Sequence, residues 1–465
     1  MKVVLINPSP PKIWVTPRVV PLGLAYIAAV LEHEGHRVKV LDLNVEKLDQ
    51  EDLLALLVKE APDVVGVTAT TPLIKQAWKI CKMVKESCEA TTVVGGPHAS
   101  ALPDESLEKP YVDIVVREEG EGTIIEVCAK IEKDLSLGEV RGISCKEDEK
   151  IVHNPPRELR DLDSLPFPAY HLFKYPRLYG SPQPLISNRV PAANILTSRG
   201  CPWNCMFCAK IASPRFWRAR SSEKVVEEWR WLVDKFRVRE MGIVDDCFTL
   251  DKRRVLKICE LLIKEGLDMP WCTPNGVRAD TLDRELLSAM KRAGCYHIDI
   301  GAESGNQDVL NRIGKGETLD QIKEAVTIAK DVGLEVTVYF MIGNIGENKK
   351  TMLDTIKFAK KLNPDYVQFT VATPYPGSKL YEIVRKEEKL LIDNWELYGH
   401  YEGRAFFEYG DVNKELVEEM YKRAYREFYM RPKYAFKLLM KKGTWRNMSN
   451  IAKGFLHFML DRYGD

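Results

Sequence analysis

The sequence predicts an α/β protein: a doubly wound parallel sheet at the N-terminus, then a partial (β/α)6 barrel, then a small α-helical C-terminal region. Three observations predict it. Short apolar runs alternate with amphipathic helical patterns from Val3 to Ile131, as parallel strands joined by crossover helices do. A second such series, from Asn194 to Val371, holds six strand-like runs, fewer than the eight of a closed barrel. Between the two, Pro155, Pro156, Pro166, Pro168, Pro176, Pro182, Pro184 and Pro191 crowd one segment. Proline lacks the donor a helix needs, so this segment reads as a connector draped over a surface. The division is therefore 1–150, a linker 151–192, the barrel 193–385 and a helical region 386–465.

In the first series, strands are expected at 3–6, 38–41, 64–68, 92–94 and 114–116, with helices at 23–34, 53–59, 74–85 and 123–131. Gly35 stops the first helix, and Gly95-Gly96 ends the fourth strand. Ligands of such sheets sit at the carboxyl ends of strands, where strand order reverses. In the second series, strands fall at 194–197, 240–244, 271–275, 297–300, 335–341 and 366–371. The intervening helices fall at 222–236, 252–265, 283–293, 319–331 and 350–361. After about residue 385 the pattern becomes helical and aromatic.

Composition excludes several classes. Hydrophobic residues at 45% and charged residues at 29% support a packed interior and exclude global disorder. Lys plus Arg is 68 and Asp plus Glu 67, a balance that argues against a polyanion binder, so no nucleic-acid partner is expected. No apolar run approaches the ~18 residues of a spanning helix, and the apolar start is too short for a secretory signal. A cytoplasmic location is expected. The 11 cysteines are odd in number, so metal or redox chemistry is favoured over a disulfide framework. Cys81, Cys88, Cys128, Cys145, Cys247, Cys259, Cys272 and Cys295 lie in apolar or helical patterns and read as small core residues.

The other three cysteines stand in Thr197-Ser198-Arg199-Gly200-Cys201-Pro202-Trp203-Asn204-Cys205-Met206-Phe207-Cys208, just after a strand. Three thiolates so close suit three corners of a [4Fe–4S] cluster, which usually takes four cysteines, leaving one iron open to a small chelator. The alternatives are a zinc site or three core thiols; structural zinc usually needs a second knuckle or histidines, and no second knuckle is present.

This C-x3-C-x-aromatic-C loop resembles the signature of the radical SAM superfamily. The resemblance implies that Cys201, Cys205 and Cys208 hold the cluster and that its open iron binds S-adenosylmethionine (SAM). One electron from the cluster then releases methionine and a 5′-deoxyadenosyl radical. It also implies roles at strand ends: Phe207 beside the adenine, Asp245 and Asp246 at the SAM ammonium, Arg278 at its carboxylate, Glu303 and Ser304 at its ribose. Gly343, in Gly343-Asn344-Ile345-Gly346-Glu347, would let the backbone approach the adenine, and Tyr375 follows the sixth strand. Competing readings stay open: a helix N-cap for Asp245 or Asp246, and an ion pair with Asp280 for Arg278.

Asn7-Pro8, Pro21-Leu22-Gly23-Leu24-Ala25-Tyr26, Gly66-Val67-Thr68-Ala69-Thr70-Thr71-Pro72, Gly95-Gly96-Pro97-His98 and Glu119-Gly120-Glu121 resemble the Rossmann-like cobalamin-binding domain that precedes many radical SAM barrels. The resemblance implies cobalamin contacts at Pro8, Leu22, Gly23, Gly95, Gly96, Glu119 and Gly120, and at the hydroxyls of Thr68, Thr70 and Thr71. His98 either faces the corrin or caps a turn. The D-x-H-x-x-G motif that supplies a lower axial histidine is absent, and Glu118 replaces the first glycine of the usual Arg-Gly-Glu-Gly-Glu. A nucleotide or no ligand is the bland alternative, although the G-x-G-x-x-G fingerprint is missing. A methylthiotransferase would carry clustered cysteines in this domain, and these are not clustered.

The combined resemblance, to cobalamin-dependent radical SAM enzymes, implies C-methylation of an unactivated carbon. Alternatives are cyclisation, rearrangement or oxidation with the same cofactors, or a non-catalytic sensor. No side chain is assigned as catalytic. Partners expected are a small-molecule or lipid-like substrate and an external one-electron donor of flavodoxin or ferredoxin type. From Arg431 to Asp465 eight basic residues face two acidic ones, with apolar positions at helical spacing. A peripheral contact with an anionic membrane is one reading and packing on the chain's own domain the other.

Overall fold

The computed structural model describes residues 1–434 apart from 12–17, 184–185, 188, 212–215, 400–402 and 433. The basic stretch after Tyr434 lies outside the described residues. The residue just before it packs on the barrel: Tyr434 is buried and donates to the Asp365 carbonyl at 2.7 Å.

The N-terminal sheet comprises β1 (Lys2–Asn7), β2 (Arg37–Asp42), β3 (Val64–Thr68), β4 (Thr91–Gly95), β5 (Ile114–Val116), β6 (Ile143–Glu147) and β7 (Lys150–His153), in the order β2-β1-β3-β4-β5-β6-β7. The first five strands are parallel. Order reverses at β1, so the carboxyl ends of β1 and β3 flank a crevice. The helices Leu22–His33 and Glu121–Glu132 cover one face.

β6 and β7 form an antiparallel hairpin that the sequence reading missed, and they carry the sheet past residue 150 to His153. Their turn uses Asp148 and Glu149 at φ 45° and 64°. Such turns normally advertise themselves with Asn-Gly or Asp-Gly; here two acidic residues take the left-handed conformation without that signal.

The linker is not merely draped over a surface. Tyr170 is fully buried, its hydroxyl donating to the Asn194 carbonyl at 2.8 Å. Gln183 donates to Asp299 inside the barrel at 2.7 Å. Ser181, Ser187 and Tyr296 donate to the buried carboxylate of Glu240. Pro182 sits where a Cβ on Gly242 would clash at 2.7 Å. An open barrel leaves its floor bare, and the linker fills it.

The barrel strands are β8 (Ala192–Ile195), the short hairpin β9 (Ser198–Arg199) and β10 (Arg218–Ala219), then β11 (Glu240–Ile243), β12 (Trp271–Val277), β13 (Cys295–Glu303), β14 (Glu335–Ile342) and β15 (Tyr366–Val371). The main sheet, β15-β14-β13-β12-β11-β8, is parallel throughout. Caps start its helices where polar residues allow: Ser221 accepts from Lys224 N–H, and Thr318 and Gln321 form a capping box.

Helix Lys414–Tyr429 packs along β15. The Tyr425 hydroxyl accepts from Phe369 N–H and donates to its carbonyl, and Tyr429 does the same for Val367. Two phenols thus satisfy an edge that would otherwise template pairing with another chain. Tyr425→Phe and Tyr429→Phe should each lower the urea-unfolding free energy by about 1–3 kcal/mol, because each leaves buried backbone groups unpaired.

Candidate active site

Parallel pairing puts the carboxyl ends of all barrel strands on one rim, and the cysteine loop leaves that rim after β9. Three kinds of restraint hold the loop. Met206 N–H donates to the Ile313 carbonyl at 2.8 Å, and Leu380 N–H donates to the Met206 carbonyl at 2.9 Å. Gly314 lets the loop approach, since a Cβ there would meet the Asn204 carbonyl at 2.8 Å. The Arg278 guanidinium lies 3.9 Å from the centroid of Trp203, so cation–π attraction orients the loop.

The thiols suit iron. Cys201 and Cys205 are half-buried and Cys208 is exposed. The neighbouring Cys247 thiol, by hydrogen bonding, holds Cys201 below the ordinary thiol range. Among the described residues no three His, Cys, Asp or Glu side chains converge on one ion. Cys247, read as a plain core thiol, is buried against Cys201; no spacing signal announced it.

The structure separates the residues expected at SAM. Asp245 is fully buried and accepts from Thr197 N–H at 2.6 Å and from the hydroxyls of Thr197 and Ser198. It neither caps a helix nor faces the rim; it stitches β11 to the segment before the cysteines. The nearby N-cap is Asp251. Asp246 is exposed at the rim and accepts from Gly200 N–H at 3.3 Å.

Arg278 is spoken for: it pairs with Asp280 at 2.7 Å and 3.0 Å and donates to the Lys315 carbonyl at 2.7 Å. The ion-pair reading holds, and the guanidinium has few donors left for a carboxylate. Ser304 is fully buried against Thr355, 3.2 Å away, under the rim. Glu303 stays near the rim at φ 63°, 3.2 Å from the buried Lys315 ammonium. Burial opposes that charge, but Glu303 and Glu317 keep Lys315 protonated. Lys315 and Glu317, which the sequence reading passed over, thus support the floor of the loop.

Gly343, at φ 86°, has its close approach to Val417, which a Cβ would meet at 3.1 Å. Its amide and that of Asn344 both donate to Glu347 at 2.8 Å. Phe207 is half-buried against the core, and Tyr375 packs 6.1 Å from Tyr398.

A cavity of about 350 Å³ lies between the sheet and the barrel. Gly23, Tyr26, Gly66, Thr68, Gly95 and Gly96 line it from the sheet, and Leu196, Arg199 and Asp246 from the barrel. Glu118, Glu119, Gly120 and Glu121 complete the wall. Glycine is required at 96: φ is 99°, and a Cβ would meet the Ala69 carbonyl at 2.8 Å. Of the expected cobalamin contacts, Gly23, Thr68, Gly95, Gly96, Glu119 and Gly120 line this cavity; Pro8, Leu22, Thr70, Thr71 and His98 do not. His98 is buried elsewhere, with Nδ1 3.3 Å from the Thr71 hydroxyl, Nε2 3.0 Å from Glu105 and its ring edge-on to Trp395. It neither faces the cavity nor only caps a turn. Glycine-lined space at the switch point of a parallel sheet fits a large flat cofactor laid on the sheet edge.

A cobalamin-type sheet facing a three-cysteine partial barrel defines a radical enzyme with two cofactor seats. Family models agree: residues 14–128 match the B12 binding domain and 195–359 the radical SAM superfamily. The chain is 37% identical to an uncharacterized methyltransferase of Pyrococcus horikoshii, with 94% of each chain covered. It is 30% identical to the anaerobic magnesium-protoporphyrin IX monomethyl ester cyclase of Rubrivivax gelatinosus, covering 81% of this chain and 68% of that one. It is 31% identical to the cytidylyl-2-hydroxyethylphosphonate methyltransferase of Streptomyces wedmorensis, covering 82% and 80%. Among solved structures, the cobalamin-dependent SAM radical enzyme OxsB superposes with a TM-score of 0.77 at 20% identity, covering 97% of this chain and 71% of that one. The methyltransferase TsrM of Kitasatospora setae superposes at 0.70 and 18% identity, covering 83% and 78%. The chain belongs to the cobalamin-binding radical SAM enzymes, whose cofactors are a [4Fe–4S] cluster, SAM and cobalamin.

Replacing any one of Cys201, Cys205 and Cys208 by Ala should abolish the visible absorption and electron-paramagnetic signal of a reconstituted cluster. Glu347 supplies a pH test. Burial pushes its carboxyl up to about 7 from 4.5, so the fold holds a proton that the unfolded chain has lost. The stability this contributes is full below the unfolded value and is lost as pH rises through about 7. Denaturant unfolding at intervals from pH 5 to 8 should show this decline in the native chain and a shallower one in Glu347→Gln.

Proposed function

We propose that the chain is a C-methyltransferase acting on an unactivated carbon of a small molecule. The observation that carries this reading is the shared cavity: the glycine-lined edge of one sheet and the strand leading to the cysteines meet across one space. When bound, the cobalamin supplies a methyl group and the cluster with SAM supplies a hydrogen-abstracting radical. Cys201, Cys205 and Cys208 hold three irons. Asp246 is the rim carboxylate that would receive the SAM ammonium, and Glu303, paired with Lys315, would meet its ribose. Gly23, Gly95, Gly96 and Gly120 open the sheet edge to the corrin. The two domains exclude water from the reacting centre.

Relatives named as methyltransferases support this reading; relatives named as cyclases favour a second, ring closure with the same cofactors. A lipid-like substrate, a flavodoxin- or ferredoxin-type electron donor and a cytoplasmic site belong to the same proposal. No described helix is long and apolar enough to cross a membrane.

The test is anaerobic turnover with SAM carrying a trideuterated methyl group, a chemical reductant and a fractionated metabolite extract. A product that gains the deuterated methyl, together with 5′-deoxyadenosine, is expected. A product formed with 5′-deoxyadenosine but without label would establish the cyclase reading instead.

A further inference from the structure

Arg199 stands two positions before Cys201, on β9. Its guanidinium leaves the barrel and enters the N-terminal sheet: Nη1 donates to Glu119 at 3.0 Å and Nη2 to Glu121 at 2.6 Å. Its face lies 5.2 Å from the Tyr26 ring. Directly across the hairpin, Arg218 on β10 pairs with the second oxygen of Glu119. One carboxylate therefore grips both strands of the hairpin that launches the cysteine loop. The side chains of Arg199, Glu119 and Glu121 are 9%, 10% and 7% exposed.

The same four side chains, Tyr26, Glu119, Glu121 and Arg199, line the cavity. The turn presenting Glu119 is held in a costly conformation. Glu118 sits at φ 60°, and its N–H donates to the Ser100 hydroxyl at 2.9 Å. Non-glycine residues keep such a conformation only where their surroundings over-determine it.

We infer that Arg199 is a positioning residue that couples occupancy of the cavity to the geometry of the cysteine loop, through Glu119 and Arg218. The inference rests on the reading of the cavity as a corrinoid seat. A large ligand there covers the edge of these ion pairs that still faces the cavity, so their attraction grows as that last contact with water is lost. The hairpin is then held harder, and with it the backbone entering Cys201. Coupling between sites is reciprocal, so a loop fixed by its cluster must in turn favour the occupied cavity.

The probe is hydroxocobalamin added anaerobically to full-length, cluster-free protein. Alkylation of Cys201, Cys205 and Cys208 by iodoacetamide is followed by peptide mass spectrometry, and cobalamin binding by its visible spectrum. In the native chain, saturating hydroxocobalamin should slow Cys201 alkylation roughly 5-fold or more, the lower range of site-to-site coupling. In Arg199→Gln and Arg218→Gln the protection should fall away, and in Arg218→Gln, whose side chain lies outside the cavity lining, cobalamin should still bind. Arg199→Lys, which keeps the charge but not the fork, should protect weakly and serves if Arg199→Gln does not fold. Loading the cluster should tighten hydroxocobalamin binding in the native chain and not in the variants. Equal protection in native and variant chains would mean simple shielding by the corrin and would overturn the coupling. Bound cobalamin with no protection in the native chain would overturn it as well. No cobalamin binding by the native chain would instead remove the corrinoid reading, and the inference with it.

Discussion

A guanidinium shut away from water between two carboxylates holds the seam of this molecule. Charges so placed are costly to desolvate, so an ion pair of this kind is weak grounds for overall stability. Its value is geometric. Arginine offers a planar fork with fixed donor directions, which lysine does not, and Glu119 and Glu121 take one arm each. The fork fixes where β9 ends, and β9 fixes where Cys201 begins. A second fully buried pair, Arg220 with Glu228, anchors the chain just after β10 to the first barrel helix, Ser222–Phe236. Both arms of the hairpin are thus tied by charge, and the thiols between them are left accessible.

The barrel has its own constraint. Six strands do not close, and the inward face of β13 carries His297, Asp299, Gly301 and Glu303 rather than branched apolar residues. Burial opposes a charge on His297, but Asp299 and Glu335 outweigh it and push the ring up to about 9. Asp299 also accepts from Gln183 of the linker and from Tyr339. A polar lumen can exist only if each group finds a partner. Ser181, Gln183 and Ser187 of the proline-rich linker supply several of them, which is why these residues lie inside the fold.

The two domains are also strapped at a distance from the cavity. Lys75 donates to Asn394 at 2.8 Å, Gln76 to Glu396 at 2.9 Å, and Trp395 to Glu105 at 2.8 Å. His98 stacks edge-on against the same tryptophan. The sheet is therefore held from two sides, by Arg199 near the cysteines and by the segment around Trp395, and the cavity is the space left between.

The sequence by itself determined the alternation of strands and helices, the open barrel, the linker's place in the chain and the loop that carries three cysteines. Periodicity and spacing are local properties, and local sterics and hydrogen bonding read them directly. The glycines at 23, 95, 96 and 120 were legible for the same reason, since a missing Cβ is visible in one residue. Only the tertiary structure decided which polar side chains at strand ends are free. Asp245, Arg278 and Ser304 look identical in sequence to groups awaiting a ligand, yet each is consumed by partners brought in from other segments. His98 was drawn to Trp395, nearly three hundred positions away, and Cys247 to Cys201. Whether a polar atom is available depends on what long-range packing has already spent it on, and no local pattern records that.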